Sequence, residues 1–176
     1  NTWAGKVKQL LDKYGFSYIW ERQHVNDKNE FLRVFVQRVQ DCYLQEWQTT
    51  INESSKLKLY KDIKDSYEPT SYVTQLWNKK FVSSMAKIRC CSHKLKVERA
   101  RFSRDCNGKC ITCNVMEDEL HLLCSCPLYK DLRLKHLGSI SLTSRQGINL
   151  LKSKKEDTVF QLALFITNAL KIHNET

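Results

Sequence analysis

Seven residues in 176 are glycine or proline, five of the first and two of the second. A chain with so few cannot turn every eight to twelve residues, as a meander of short strands must, so its segments should be long and helical. Apolar residues at 41% supply a core, and 27% charged residues with a mean hydropathy of -0.51 exclude disordered, collagen-like and mucin-like chains. The expected fold class is all-α, mostly helical, on the scale of about one domain.

The apolar spacing supports this. Trp3, Val7, Leu10, Leu11 and Tyr14 recur at helical intervals between a capping Thr2 and a stopping Gly15. Asp27 and Glu30 open a long helix carrying Phe31, Val34, Phe35, Val39, Cys42 and Trp47, ending near Ile51. Leu59, Ile63 and Tyr67 mark a short helix broken by Pro69. Val73, Leu76 and Trp77, then Phe81, Val82, Met85 and Ile88, continue the pattern. Residues 92–102 alternate as a short strand would and are not assigned. Leu128 to Leu137 reads as a helix stopped by Gly138, and Asp157 caps a last helix with Val159, Phe160, Ala163, Ile166 and Leu170. Three parts follow: 1–68 helical, 70–137 with the charged and cysteine-rich motifs, and 138–176 helical. They are expected to pack as one unit around Trp3, Phe35, Trp47, Trp77, Phe160 and Ile166.

No stretch reaches the ~20 apolar residues of a membrane span, so no membrane partner is expected. The first residues lack both an initiator Met and an apolar signal segment, which suggests a piece of a longer chain. Eight Cys could form disulfides, but their spacing suits metal ligation better and implies a reducing compartment, nuclear or cytoplasmic.

The ligand pattern is C-x2-C-x7-H-x4-C: Cys110, Cys113, His121 and Cys126. Three thiolates and one imidazole closing within 17 residues suit tetrahedral Zn²⁺ in a small knuckle inserted between helices. No ligand position is left for water, so such a site is structural. Pro127 biases Cys126 away from helical backbone and lets its thiolate turn back to the metal. Cys106 can replace Cys110, and Cys124, three residues after His121, is another alternative. Cys42, Cys90 and Cys91 fit packing.

Just upstream, Lys87, Arg89, Lys94, Lys96, Arg99, Arg101 and Arg104 place seven positive charges in 18 residues against Glu98 alone, +6 of the chain's net +10. Interleaved with His93 and Phe102, the run puts a positive field beside groups able to stack on bases. A solvated face, or a surface for an acidic protein partner, reads the same charges differently. Phosphate cradles, a nucleophile elbow and an H-E-x-x-H motif are absent. Downstream of the knuckle only Asp131, Glu156, Asp157 and Glu175 are acidic, too few and too scattered for a two-metal nuclease. The chain is therefore not expected to be an enzyme.

The stretch Met85 to Phe102, the Cys110–Cys113–His121–Cys126 spacing and the trailing Cys126-Pro127-Leu128-Tyr129…Leu132-Arg133 together resemble the C-terminal region of non-LTR (LINE-like) retrotransposon reverse transcriptases, best over residues 72–137. Ala100 stands where that family commonly has Gly, and Leu122 where it has Phe. The polymerase's catalytic aspartates are not in this chain. The resemblance implies an accessory, zinc-stabilised module that grips template RNA or target DNA beside a polymerase domain of the same parent chain. The rival expectation is a zinc-stabilised helical protein-interaction domain binding an acidic partner.

Overall fold

The computed structural model describes residues 2–175. Ten α-helices make up nearly all its regular structure, and among the described residues the only β pairing is an isolated bridge between Lys109 and Met116. The chain divides into two compact units between Glu53 and Ser54. This differs from the expected break at Glu68-Pro69. The reason is α4 (Lys58–Ile63), whose Leu59 and Ile63 are buried in the core of the second unit.

In the first unit, α1 (Trp3–Lys13) starts at Thr2, whose Oγ1 accepts the Gly5 N–H at 3.2 Å. It stops where Gly15 takes φ +82°, a region open to glycine at no steric cost. After α2 (Ser17–Arg22), Asp27 Oδ1 accepts the N–H groups of Asn29 and Glu30 and starts α3 (Lys28–Glu53). Glu30 pairs with Arg33 instead of closing a capping box. Phe16 packs edge-on to Phe31 and against Phe35, with centroids 5.6 and 5.4 Å away. Trp3, expected inside, is 79% exposed because α1 buries only Leu11.

The second unit is built around α10 (Glu156–Glu175), which packs against α5 (Ser71–Gln75), α6 (Lys79–Arg89), α8 (Lys130–Leu137) and α9 (Ser144–Lys152). With neighbours on several sides, α10 buries Leu162, Ala163, Phe165, Ile166 and Ala169 completely, more than one stripe can hold. α9 has no counterpart in the helices read from the sequence. It opens with a capping box in which Thr143 and Gln146 satisfy each other's backbone N–H. Two expected core residues lie outside. Trp77 is 96% exposed because it sits in the connection from α5 to the Asn78 cap of α6, and Phe160 is at the rim with its ring 5.9 Å from Phe81. The segment read as strand-like instead holds one helical turn, α7 (Lys96–Arg99). Ala100, at φ -63°, needs no glycine there.

Gly147 lies in α9 where a Cβ would sit 2.4 Å from Cys124 Sγ, so only glycine allows this approach. The helix therefore closes directly over the turn that carries His121. No helix among the described residues is long and apolar enough to cross a membrane.

Candidate metal centre

The four expected ligands converge. One donor atom each from Cys110, Cys113, His121 and Cys126 lies within 4.8 Å of the others. Cys110 and Cys126 sulfurs are 3.9 Å apart, and Cys113 Sγ is 3.2 Å from His121 Nε2. Ligands held about 2.0–2.3 Å from a central ion in a tetrahedron lie about 3.3–3.8 Å from one another, close to these two separations, so the cluster could hold one ion. Cys110, His121 and Cys126 are buried and Cys113 is half-buried, so the set is largely withdrawn from solvent.

Local backbone chemistry builds this convergence. The Cys110 N–H donates to the Val115 carbonyl at 2.8 Å and the Asn114 N–H returns to the Cys110 carbonyl at 2.9 Å. Asn114 closes the loop at φ +54°, a conformation Asn tolerates well. Asp118 Oδ1 then accepts the His121 N–H at 2.7 Å and starts a π-helical turn, His121–Ser125. Cys126 leaves it extended at ψ 124°, as Pro127 requires. The His121 Nδ1 lies 3.2 Å from Ser125 Oγ. With Nε2 facing the sulfurs, a metal bound there would leave the proton on Nδ1, where Ser125 Oγ would orient the ring.

The three thiols are shifted in opposite directions, one toward the thiolate and two away from it. Burial raises the Cys110 thiol, but hydrogen bonds from His121 and from the N–H groups of Thr112 and Cys113 outweigh it and bring it down to about 6. Burial pushes Cys126 up to about 12 and also raises Cys113. A bound divalent cation is what would hold all three sulfurs as thiolates.

The alternatives are placed elsewhere. Cys124 faces Gly147 of α9, and burial pushes its thiol up to about 11. Cys106 Sγ points to the Lys96 carbonyl at 3.5 Å. Neither belongs to the ligand group.

Three supporting residues were not singled out for these roles in the sequence. Arg133, 1% exposed, donates to the carbonyls of Leu123, Cys126 and Ile140, tying the exit of the His121 turn to α8. Glu117 accepts the Lys96 N–H at 2.8 Å and caps α7. Glu119 Oε1 lies 2.7 Å from His93 Nε2, while His93 Nδ1 accepts the Leu95 N–H. Burial raises the Glu119 carboxyl, but the hydrogen bonds from His93 and Cys91 outweigh it and leave it below its ordinary value. In the sequence these are merely an Arg after a knuckle and two of three adjacent acids, and only the fold supplies their targets.

The basic run is scattered by the fold. Arg89 is a correction: it is 2% exposed, donates to the Leu151 carbonyl and lies over the Tyr72 ring. Its place on the inward face of α6 commits its guanidinium to the interior. His93 is another, since its side chain is 1% exposed and both ring nitrogens are engaged, so it cannot stack. Arg101 is exposed as a residue but held by Glu98 and by the Ser55 carbonyl. Lys87, Lys94, Arg99 and Arg104 are exposed, Lys96 is half-buried, and Phe102 is 87% exposed. Lys96 and Arg99 line a cleft of about 470 Å³ beside Cys110, shared with Asp105 and Glu117.

No protein-family model matches the chain, and neither a curated protein nor a solved structure matches it.

Proposed function

We propose that the protein is a zinc-stabilised nucleic-acid-binding module, non-catalytic in itself. The observation that carries this reading is the closed donor set of three sulfurs and one imidazole within 4.8 Å, with solvent-facing cations and an aromatic ring on the segment just before it. Zinc is favoured because it accepts four soft and borderline ligands without geometric preference of its own. Bound there by Cys110, Cys113, His121 and Cys126, it would supply folding free energy rather than a reactive water. Lys96, Arg99 and Arg104 would then neutralise phosphates, and Phe102, exposed at a position where burial would be the apolar default, would stack on a base.

The partner on this reading is single-stranded RNA or DNA, inside the cell. The Cys–His spacing with Cys126-Pro127-Leu128-Tyr129 and Arg133 supports an accessory role like that of the C-terminal region of non-LTR retrotransposon reverse transcriptases, next to a polymerase domain. A protein-interaction domain is the second reading, favoured by exposed Leu32, Val36 and Tyr43 on α3.

A fluorescence-anisotropy titration of labelled single-stranded RNA and DNA at several salt concentrations tests the proposal. Log affinity should fall linearly with log salt, at roughly 0.7 per phosphate contacted. Arg99→Glu with Arg104→Glu should weaken binding equally for every sequence, and Phe102→Ala should weaken it at unchanged slope. Binding no tighter than that of an unrelated protein of equal charge would overturn the nucleic-acid reading and leave the interaction domain as the better account.

A further inference from the structure

The cleft beside the metal ligands carries both signs of charge. A second depression of about 500 Å³, between α6 and α10, does not. Lys80 and Lys87 lie seven residues apart on one face of α6, with Ser83 and Ser84 between them on the same face. Lys171 faces them from α10, and Lys94 closes one end. Among the described residues no carboxylate lines this groove; behind its lining Glu175 lies 3.9 Å from Lys171, one turn along α10, and Glu119 2.7 Å from His93. His93 also borders it, but its ring is committed to Glu119.

Four lysines line the groove, one of them, Lys171, paired with Glu175 at its edge, and no carboxylate lines it, so the local potential is positive and favours an anion. An independent observation points the same way. Thr167 of α10 lines the groove, is 7% exposed, and its Oγ1 has no hydrogen-bond partner among the described residues. Its Oγ1 is shielded from solvent as the side chain stands, so a ligand oxygen in the groove becomes its partner once the Thr167 side chain rotates toward the groove. Lys80 and Lys87 are separated by about 10.5 Å along the helix axis, long enough to follow several consecutive phosphates of one strand.

We infer that the α6–α10 groove is a phosphate-binding track, separate from Arg99 and Arg104, that takes the backbone phosphodiesters of a bound single strand. This rests on the nucleic-acid reading above and extends it to residues outside the basic run, Lys80, Thr167 and Lys171. The alternative source of the same chemistry is a free phosphate, which lacks the length to engage both ends of the groove.

The test uses the full chain, zinc-loaded, with a labelled oligouridylate titrated at several salt concentrations. Lys80→Gln with Lys171→Gln should weaken binding and reduce the salt slope by roughly 1.4, two contacts at about 0.7 each. Thr167→Val, nearly isosteric, should bind about fivefold more weakly with the slope unchanged, the effect of one neutral hydrogen bond. Circular dichroism should show both variants folded. Wild-type affinity and slope in the double variant, while the wild type binds RNA and Arg99→Glu/Arg104→Glu weakens it, would overturn the groove and leave the nucleic-acid reading standing. No RNA binding by the wild type would overturn both. Displacement of the RNA by inorganic phosphate at matched ionic strength, or by oligoglutamate as readily as by unlabelled RNA, would overturn the phosphodiester assignment in favour of a free anion or an acidic polypeptide.

Discussion

α3 and α10 are the two longest helices of the protein, and they are stabilised by different means. α10 buries eight of its 20 residues, among them Phe165 and Ile166 at 0% exposure. α3 buries one of 26, Ile51. Its supports include local ones: the Asp27 cap, the Glu30–Arg33 pair, the Gln37–Asp41 hydrogen bond, and Phe31 and Phe35 against Phe16. Helix length therefore says little about where folding free energy resides, since tertiary burial contributes more than propensity. The burial is concentrated from Ser54 onward, in the unit that also contains the Cys110, Cys113, His121 and Cys126 cluster.

The largest expected effect is on the unit that holds the Cys–His cluster. Chelation, or Cys113→Ser or His121→Ala, should lower its melting temperature and its metal content together, because a closed structural site contributes folding free energy directly. Amide protons of residues 108–126 should exchange faster after chelation while those of α3 do not change. Faster exchange in α3 instead would break the contrast between the units.

Next comes the core. Phe165→Ala should destabilise the second unit by about 3–5 kcal/mol in chemical denaturation, as for a fully buried aromatic. Arg133→Met should lose about 3 kcal/mol, since three carbonyls lose their donor at once. Gly147→Ala forces a Cβ onto Cys124 Sγ and should lose about 1–3 kcal/mol through overpacking.

The smallest effects belong to the first unit. Phe35→Leu should remove about 1 kcal/mol of aromatic contact, and Thr2→Ala about 1 kcal/mol or less from the α1 cap. Trp3→Ala, at an exposed position, should fall within about 0.5 kcal/mol of the wild type. A loss at Phe35 as large as that at Phe165 would show that α3 is held by burial after all.

The sequence showed some of this plainly. Helical spacing and the scarcity of glycine and proline marked the all-α class, and the Thr2 cap, the Gly15 and Gly138 stops and the extended Cys126 before Pro127 are local effects readable without tertiary information. The convergence of Cys110, Cys113, His121 and Cys126 was legible because their spacing is itself the constraint. What was not legible depends on partners distant in sequence. Arg89 and His93 looked like surface cations and stacking groups until the fold placed them against Leu151, Tyr72 and Glu119. Trp3 and Trp77 looked like core by residue type, but side-chain identity does not reveal which face a helix turns inward, and Trp77 is in a connection. α9 escaped notice because its pattern, Ile148, Leu150 and Leu151 after Gly147, is short and begins with a glycine whose reason is Cys124, 23 positions earlier.

The central claim is that Cys110, Cys113, His121 and Cys126 hold one zinc ion. Elemental analysis of purified protein, paired with the absorption spectrum after cobalt replacement, tests it directly. The account predicts one metal per chain, tetrahedral cobalt with thiolate charge-transfer bands, loss of both in Cys113→Ser, and retention of both in Cys106→Ser and Cys124→Ser. Metal-free protein that is fully folded, or a cobalt spectrum unchanged by Cys113→Ser, would contradict it.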